Sequence, residues 1–98
     1  MGNFKNWKDI RKELKFTPEE EEEMKLEIEL VEALIEARKK SKLTQRELSE
    51  KSGIIQPSIA KIESYVRSPQ AITLIRLLYP MGYTLKVVPL EKESRKQE

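Results

Sequence analysis

Leu43-Thr44-Gln45-Arg46-Glu47-Leu48-Ser49-Glu50-Lys51-Ser52-Gly53, followed after Ile54-Ile55 by Gln56-Pro57-Ser58-Ile59-Ala60-Lys61-Ile62-Glu63, is the stretch on which the fold turns. Thr44 is an N-cap, and Glu47, three residues on, completes a capping box that satisfies two backbone donors reciprocally. Leu48 faces inward by spacing. Gly53 closes this helix where a positive φ is needed. Ile54 anchors the turn that follows. A second helix runs from about Gln56 to about Ser64, with Pro57 in its first turn, where a missing N–H is harmless. Ile59 and Ile62 lie three apart and face inward, while Gln56, Pro57, Ala60 and Lys61 face the other way.

Two helices of about two turns each, joined by a tight turn at Gly53, form a helix-turn-helix from about Leu43 to Tyr65. Such a motif puts its second helix into the DNA major groove while its first meets the backbone. Gln45 sits where side chain and backbone N–H both reach a phosphate. Gln56 can pair with adenine through two hydrogen bonds, and Lys61, a turn further on, can reach guanine acceptors or a phosphate. Pro57 and Ser58 are small enough for close approach. Spacing alone also fits a plain helical hairpin in a small bundle.

Working outward, Thr17-Pro18-Glu19-Glu20 is a helix start, with Thr17 as cap, Pro18 at the first position and Glu20 closing a capping box. The five acids Glu19–Glu23 suit the positive end of the helix dipole; they fit equally a solvated first turn or a patch for a basic partner. Met24, Ile28, Val31 and Ile35 form one apolar stripe and Leu26, Leu30 and Leu34 a second beside it, predicting a helix from about Pro18 to about Lys40 with more apolar surface than a lone surface helix needs. Downstream, Ser68-Pro69 restarts a helix with Ile72, Ile75 and Leu78 on its inner face. Pro80 ends it. Tyr83 to Val88 reads as a strand stopped by Pro89. A lone strand leaves its backbone groups unpaired, so this one is expected to pair with another chain. Residues 91–98 form a polar tail. Near the other end, Phe4, Trp7, Ile10 and Leu14 are spaced as a short amphipathic helix whose apolar face packs on the protein itself or docks a partner.

The chain has 98 residues, enough for one modest core, with charged residues at 37% and apolar residues at 38%. Its net charge of +2 is divided unevenly: residues 1–29 carry 6 Lys+Arg against 9 Asp+Glu, a net of −3, and residues 30–98 carry 13 against 8, a net of +5. A basic domain suits a polyanion, and an acidic arm suits a basic protein. The absence of Cys excludes disulfides and thiolate chemistry. No apolar run approaches the ~20 residues of a membrane span, and the N-terminus has no signal-peptide core, which points to the cytoplasm. Met1-Gly2 begins like a myristoylation signal, but Asn6 stands where that signal needs Ser or Thr. With no His or Cys and Asp9 the only Asp, neither a metal cluster nor a His-based triad can be built, so no cofactor or metal is expected. Ser58-Ile59-Ala60-Lys61 matches a Ser-x-x-Lys nucleophile pattern, but its supporting motifs and the large domain it serves are missing. An enzyme is therefore not expected.

The order and spacing of Leu43–Gly53, Gln56–Glu63 and Ser68-Pro69 resemble the Xre family of phage-repressor-type DNA-binding domains over about Leu30 to Gly82. The resemblance implies a five-helix fold. It implies that Gln45 contacts a phosphate, that Gln56, Pro57 and Lys61 face bases, and that Arg67 contacts backbone; Thr44 and Ser58 are expected in the same DNA-binding set. It also implies a partly buried ion pair between Arg38 and Glu63. Three positions depart from the family pattern. Ile55 stands where a Ser or Thr cap is usual, Tyr65 replaces a common glycine, and Pro80 interrupts the fifth helix.

The whole chain further resembles HigA-type antitoxins, which pair with small basic ribonuclease toxins of the HigB/RelE class. That resemblance implies toxin neutralisation and, as a homodimer, repression of the shared operon. The expected architecture is mainly α: an acidic helical arm at 1–29, a repressor-like helix-turn-helix bundle at 30–82, a strand at 83–90 and a tail at 91–98. The arm residues Phe4, Trp7, Ile10, Leu14, Glu20 and Glu23 are expected to meet the toxin. Tyr83, Leu85 and Val87 are expected in a strand pairing across a two-fold axis or extending a toxin sheet. The alternatives are a stand-alone Xre-type repressor and a protein-binding helical domain without DNA contact.

Overall fold

The computed structural model describes residues 16–90. Four helices occupy them: α1 (Pro18–Lys40), α2 (Gln45–Ser52), α3 (Gln56–Glu63) and α4 (Ala71–Leu78), the last running into a 3-10 turn at Tyr79–Met81. Among the described residues none of the helices is long and apolar enough to cross a membrane. The arm positions Phe4, Trp7, Ile10 and Leu14 lie outside the described residues, as does the tail.

Both predicted capping boxes form. Glu20 N donates to Thr17 Oγ1 at 3.1 Å and Thr17 N to Glu20 Oε1 at 2.9 Å; Glu47 N donates to Thr44 Oγ1 at 3.0 Å and Thr44 N to Glu47 Oε1 at 2.9 Å. Helix α3 starts at Ile55 with no side-chain cap, and α4 starts likewise at Gln70. The helix ends share one device. After α1, Leu43 N reaches Arg38 O at 3.2 Å and Lys42 N reaches Lys39 O at 3.0 Å; after α3, Val66 N reaches Lys61 O at 2.8 Å and Tyr65 N reaches Ile62 O at 3.1 Å. This is the Schellman arrangement, which needs a left-handed residue just past the helix. Lys42 (φ 59°) and Tyr65 (φ 63°) occupy those positions, where a Cβ is unfavourable. Gly53, at φ 80°, meets the same demand after α2 without strain.

The core is a single cluster. Val31, Leu34 and Ala37 from α1, Leu48 from α2, Ile59 and Ile62 from α3, and Leu74, Leu77 and Leu78 from α4 are all buried. Helix α1 packs on α3 and α4, and α2 packs on α3, α4 and the 3-10 turn. Its first buried residue is Val31, so the turns from Pro18 to Leu30 run ahead of the core. Within them Met24 and Ile28 are half-buried and Leu26 is exposed.

One expectation is corrected, and another is not met within the single chain. Helix α4 begins at Ala71 rather than at Ser68-Pro69, and its inner face is Leu74, Leu77 and Leu78; Ile72 and Ile75 are exposed at 53% and 41%. The segment is apolar on all sides but Thr73 and Arg76, so its periodicity admits more than one inner face, and packing on α1 and α2 selects among them. No strand forms among the described residues: 83–90 carry no regular structure, with Tyr83 and Val87 exposed and Leu85 packed on the core. A strand needs a ladder partner, and the described residues offer none.

Candidate nucleic-acid interface

The site begins with Arg38, on the last turn of α1. Its Nε donates to Glu63 Oε2 and its Nη2 to Glu63 Oε1, both at 2.8 Å, while Nη1 donates to Leu43 O at 2.9 Å. The two side chains are only 14% and 7% exposed. A guanidinium fork on a carboxylate is the strongest geometry available to such a pair. The hydrogen bond to Glu63 raises the Arg38 pKa further above its ordinary value, against the opposing effect of burial. Through Leu43 O, the same arginine also fixes the turn that delivers α2.

From Glu63 a chain of amides runs outward. Gln45 Nε2 donates to Glu63 Oε1 at 2.9 Å, and Gln56 Nε2 donates to Gln45 Oε1 at 2.8 Å. The first residues of α2 and α3 are thus tied to each other and to the ion pair. One Gln45 N–H is therefore turned toward the ion pair, while its carbonyl oxygen is turned toward Gln56. Periodicity carried no sign of this chain, because its members lie on three elements and meet only when those pack. Thr44 is exposed beside it, with its hydroxyl accepting from Glu47 N.

The remaining candidates frame the exposed end of α3. Pro57 and Lys61 are exposed and Ser58 is half-buried. Arg67 leans back so that its Nη1 donates to Ser58 Oγ at 3.2 Å. A cleft of about 440 Å³ opens there between α3 and α4, with Arg67, Ser68, Gln70 and Thr73 among its polar wall. Lys42 and Arg46, not among the sequence candidates, are exposed on either side of Thr44 and Gln45 and enlarge the cationic rim. Their signal was the bare charge of the residues flanking a helix N-terminus. Of the acidic arm residues, Glu20 is engaged in its capping box and Glu23 is exposed.

Comparison with known proteins bears on this arrangement directly. The family profile described as Helix-turn-helix matches residues 34–87. The chain belongs to the helix-turn-helix family. It is of the Xre type that its sequence resembles, and its two motif helices are α2 and α3. This helix-turn-helix protein, a DNA-binding regulator by family, is similar to an uncharacterized HTH-type transcriptional regulator of Haemophilus influenzae, with 40% identity over 91% of this chain and 90% of the relative. Its fold is similar to that of a chain in a solved toxin–antitoxin module from Streptococcus pneumoniae, with 44% identity, a TM-score of 0.64, and coverage of 89% of this chain and 96% of the other.

Proposed function

We propose that this helix-turn-helix protein is an antitoxin that neutralises a small basic ribonuclease toxin of the HigB/RelE kind and, as a homodimer, represses its own operon by binding double-stranded operator DNA. The observation that carries the antitoxin reading is the 44% identity to the Streptococcus pneumoniae toxin–antitoxin chain over nearly the whole of both chains. The exposed end of α3 supports the DNA reading. Gln56, Pro57, Ser58 and Lys61 meet base edges, while Thr44, Gln45 and Arg67 meet the sugar–phosphate backbone. One eight-residue helix reads only a half-site, and a two-fold dimer brings a second about 34 Å away.

Division of labour follows charge. The acidic segment 1–29 covers the basic toxin, with Phe4, Trp7, Ile10 and Leu14 as its apolar contacts and Glu20 and Glu23 as its charged ones. The segment with Tyr83, Leu85 and Val87 supplies the dimer strand, its ladder completed by the second copy.

The test is a gel-shift titration against the DNA immediately upstream of the gene, with and without the product of the adjacent gene. The expected result is a salt-sensitive, sequence-selective complex that Gln56→Ala and Lys61→Ala each weaken by about 1–3 kcal/mol. Wild-type binding by both variants would remove α3 as the reader. A second reading, a stand-alone repressor, is favoured by the Haemophilus influenzae relative, which is described as a regulator and nothing more. It predicts that operator binding persists while no small basic protein co-purifies.

A further inference from the structure

Ile55 is poorly chosen for folding alone. It is the N-cap residue of α3 and makes no side-chain cap hydrogen bond. A Ser, Thr, Asn or Asp there would offer an oxygen to the first turn. Nor does Ile55 gain by burial, since it is 64% exposed. A single exposed apolar residue elsewhere on a surface is ordinary; the place of this one is not. Gln56 follows it directly, and Pro57, also exposed, comes next. Ile55 also lines the cleft between α3 and α4 together with Ser58 and Arg67. It therefore stands between residues proposed to meet base edges and a residue proposed to meet the sugar–phosphate backbone.

We infer that Ile55 is a specificity-determining residue that selects a thymine by packing on its C5 methyl group. The inference rests on the reading of α3 as the base-contacting helix. The Ile55 side chain has no donor and no acceptor, so it cannot hydrogen-bond a base edge. What it can do is leave water. Among the groups that base pairs expose in the major groove, the thymine methyl is apolar and the others are donors and acceptors. An apolar side chain pressed on a donor or acceptor strips its water and returns no hydrogen bond. Against a thymine methyl, both partners leave water together. Ile55 thus favours thymine by what it buries there and by what it would desolvate elsewhere. A serine hydroxyl, which both donates and accepts, would suit any base edge. At this position isoleucine forgoes the cap and makes the discrimination.

The experiment measures the affinity of the full-length protein for the DNA upstream of its gene, with each thymine replaced in turn by uracil. Uracil keeps the pairing and the O4 acceptor of thymine and lacks only the methyl. One thymine in each half-site is expected to be sensitive, its replacement weakening wild-type binding about fourfold, the burial of one methyl group converted to affinity. Ile55→Ser is expected to bind the thymine and uracil forms equally to within about 1.5-fold. Ile55→Val, which keeps a branched apolar end, is expected to hold the ratio above about twofold. If wild-type protein is indifferent to uracil at every position, or if Ile55→Ser keeps the wild-type ratio, then Ile55 rests on a sugar or stays in water. Either result overturns the inference, and weakened binding by Gln56→Ala would then still leave α3 as the reader. If neither Gln56→Ala nor Lys61→Ala weakens binding, the reading of α3 fails and the inference falls with it.

Discussion

Arg38 shows how much one side chain can settle. It holds Glu63 with two nitrogens and the Leu43 carbonyl with a third, so one residue joins the end of α1, the end of α3 and the entry to α2. Removing it strips both guanidinium bonds from a carboxylate that is 7% exposed, leaving it the Gln45 amide as donor. Arg38→Ala is therefore expected to destabilise the protein by about 3 kcal/mol, measured by urea unfolding. A cost near zero would mean that water reaches Glu63 and that the pair is ornamental. The resemblance to Xre domains already implied this pair, but not the second use of Arg38 on Leu43 O, because a backbone carbonyl leaves no mark in residue type. Tyr65 is a contrasting case. It departs from the family glycine yet takes the glycine's left-handed conformation, with its ring packed against the core. Burial, and after it the Glu32 carboxylate, raise its phenol pKa above the ordinary value.

At the scale of elements, the four helices differ in how well their ends are closed. Helices α1 and α2 have reciprocal capping boxes, both legible as Thr-x-x-Glu. Helix α3, the proposed reader, has none: Ile55 occupies its cap, 64% exposed and making no side-chain hydrogen bond. Ile55→Ser offers a side-chain acceptor to Ser58 N, which now donates only to Ile55 O at 3.0 Å, while giving up little packing. The expected outcome is a gain of about 0.5–1 kcal/mol in unfolding free energy, seen as a higher midpoint in urea with an unchanged slope. A loss would show that the Ile55 side chain is needed where it stands. Helix α4 marks the limit of pattern reading. Its existence and the inward Leu78 follow from the pattern, but Ile72 and Ile75, expected inside, stand outside, because an apolar segment has no polar face from which to read its orientation.

For the molecule as a whole, the division at Val31 matters most. All of the buried residues described lie from Val31 onward. Ahead of it α1 continues for three turns and more, held to the rest by such contacts as Ser68 Oγ donating to Glu27 Oε2 at 3.0 Å. Deleting residues 1–22 leaves two turns of helix in front of Val31. The truncated chain is expected to keep its helical circular-dichroism spectrum and its operator affinity to within about threefold, a difference under ~1 kcal/mol. In pull-down it is expected to lose the basic partner. Loss of operator binding with the partner retained would reverse the assignment of the two ends.

What this sequence determined unaided is local and periodic: two capping boxes, Gly53 between two short helices, the inward isoleucines of α3 and the polar face opposite them. Such features depend on residues within a few positions of one another, and hydrogen-bond geometry over one helical turn is nearly context-free. Only the tertiary structure decided which face of α4 is buried, that 83–90 form no ladder alone, and that Gln45 turns inward to join Glu63 to Gln56. Those outcomes depend on groups brought together from distant parts of the chain, and the direction of a hydrogen bond between them exists only once both ends are in place.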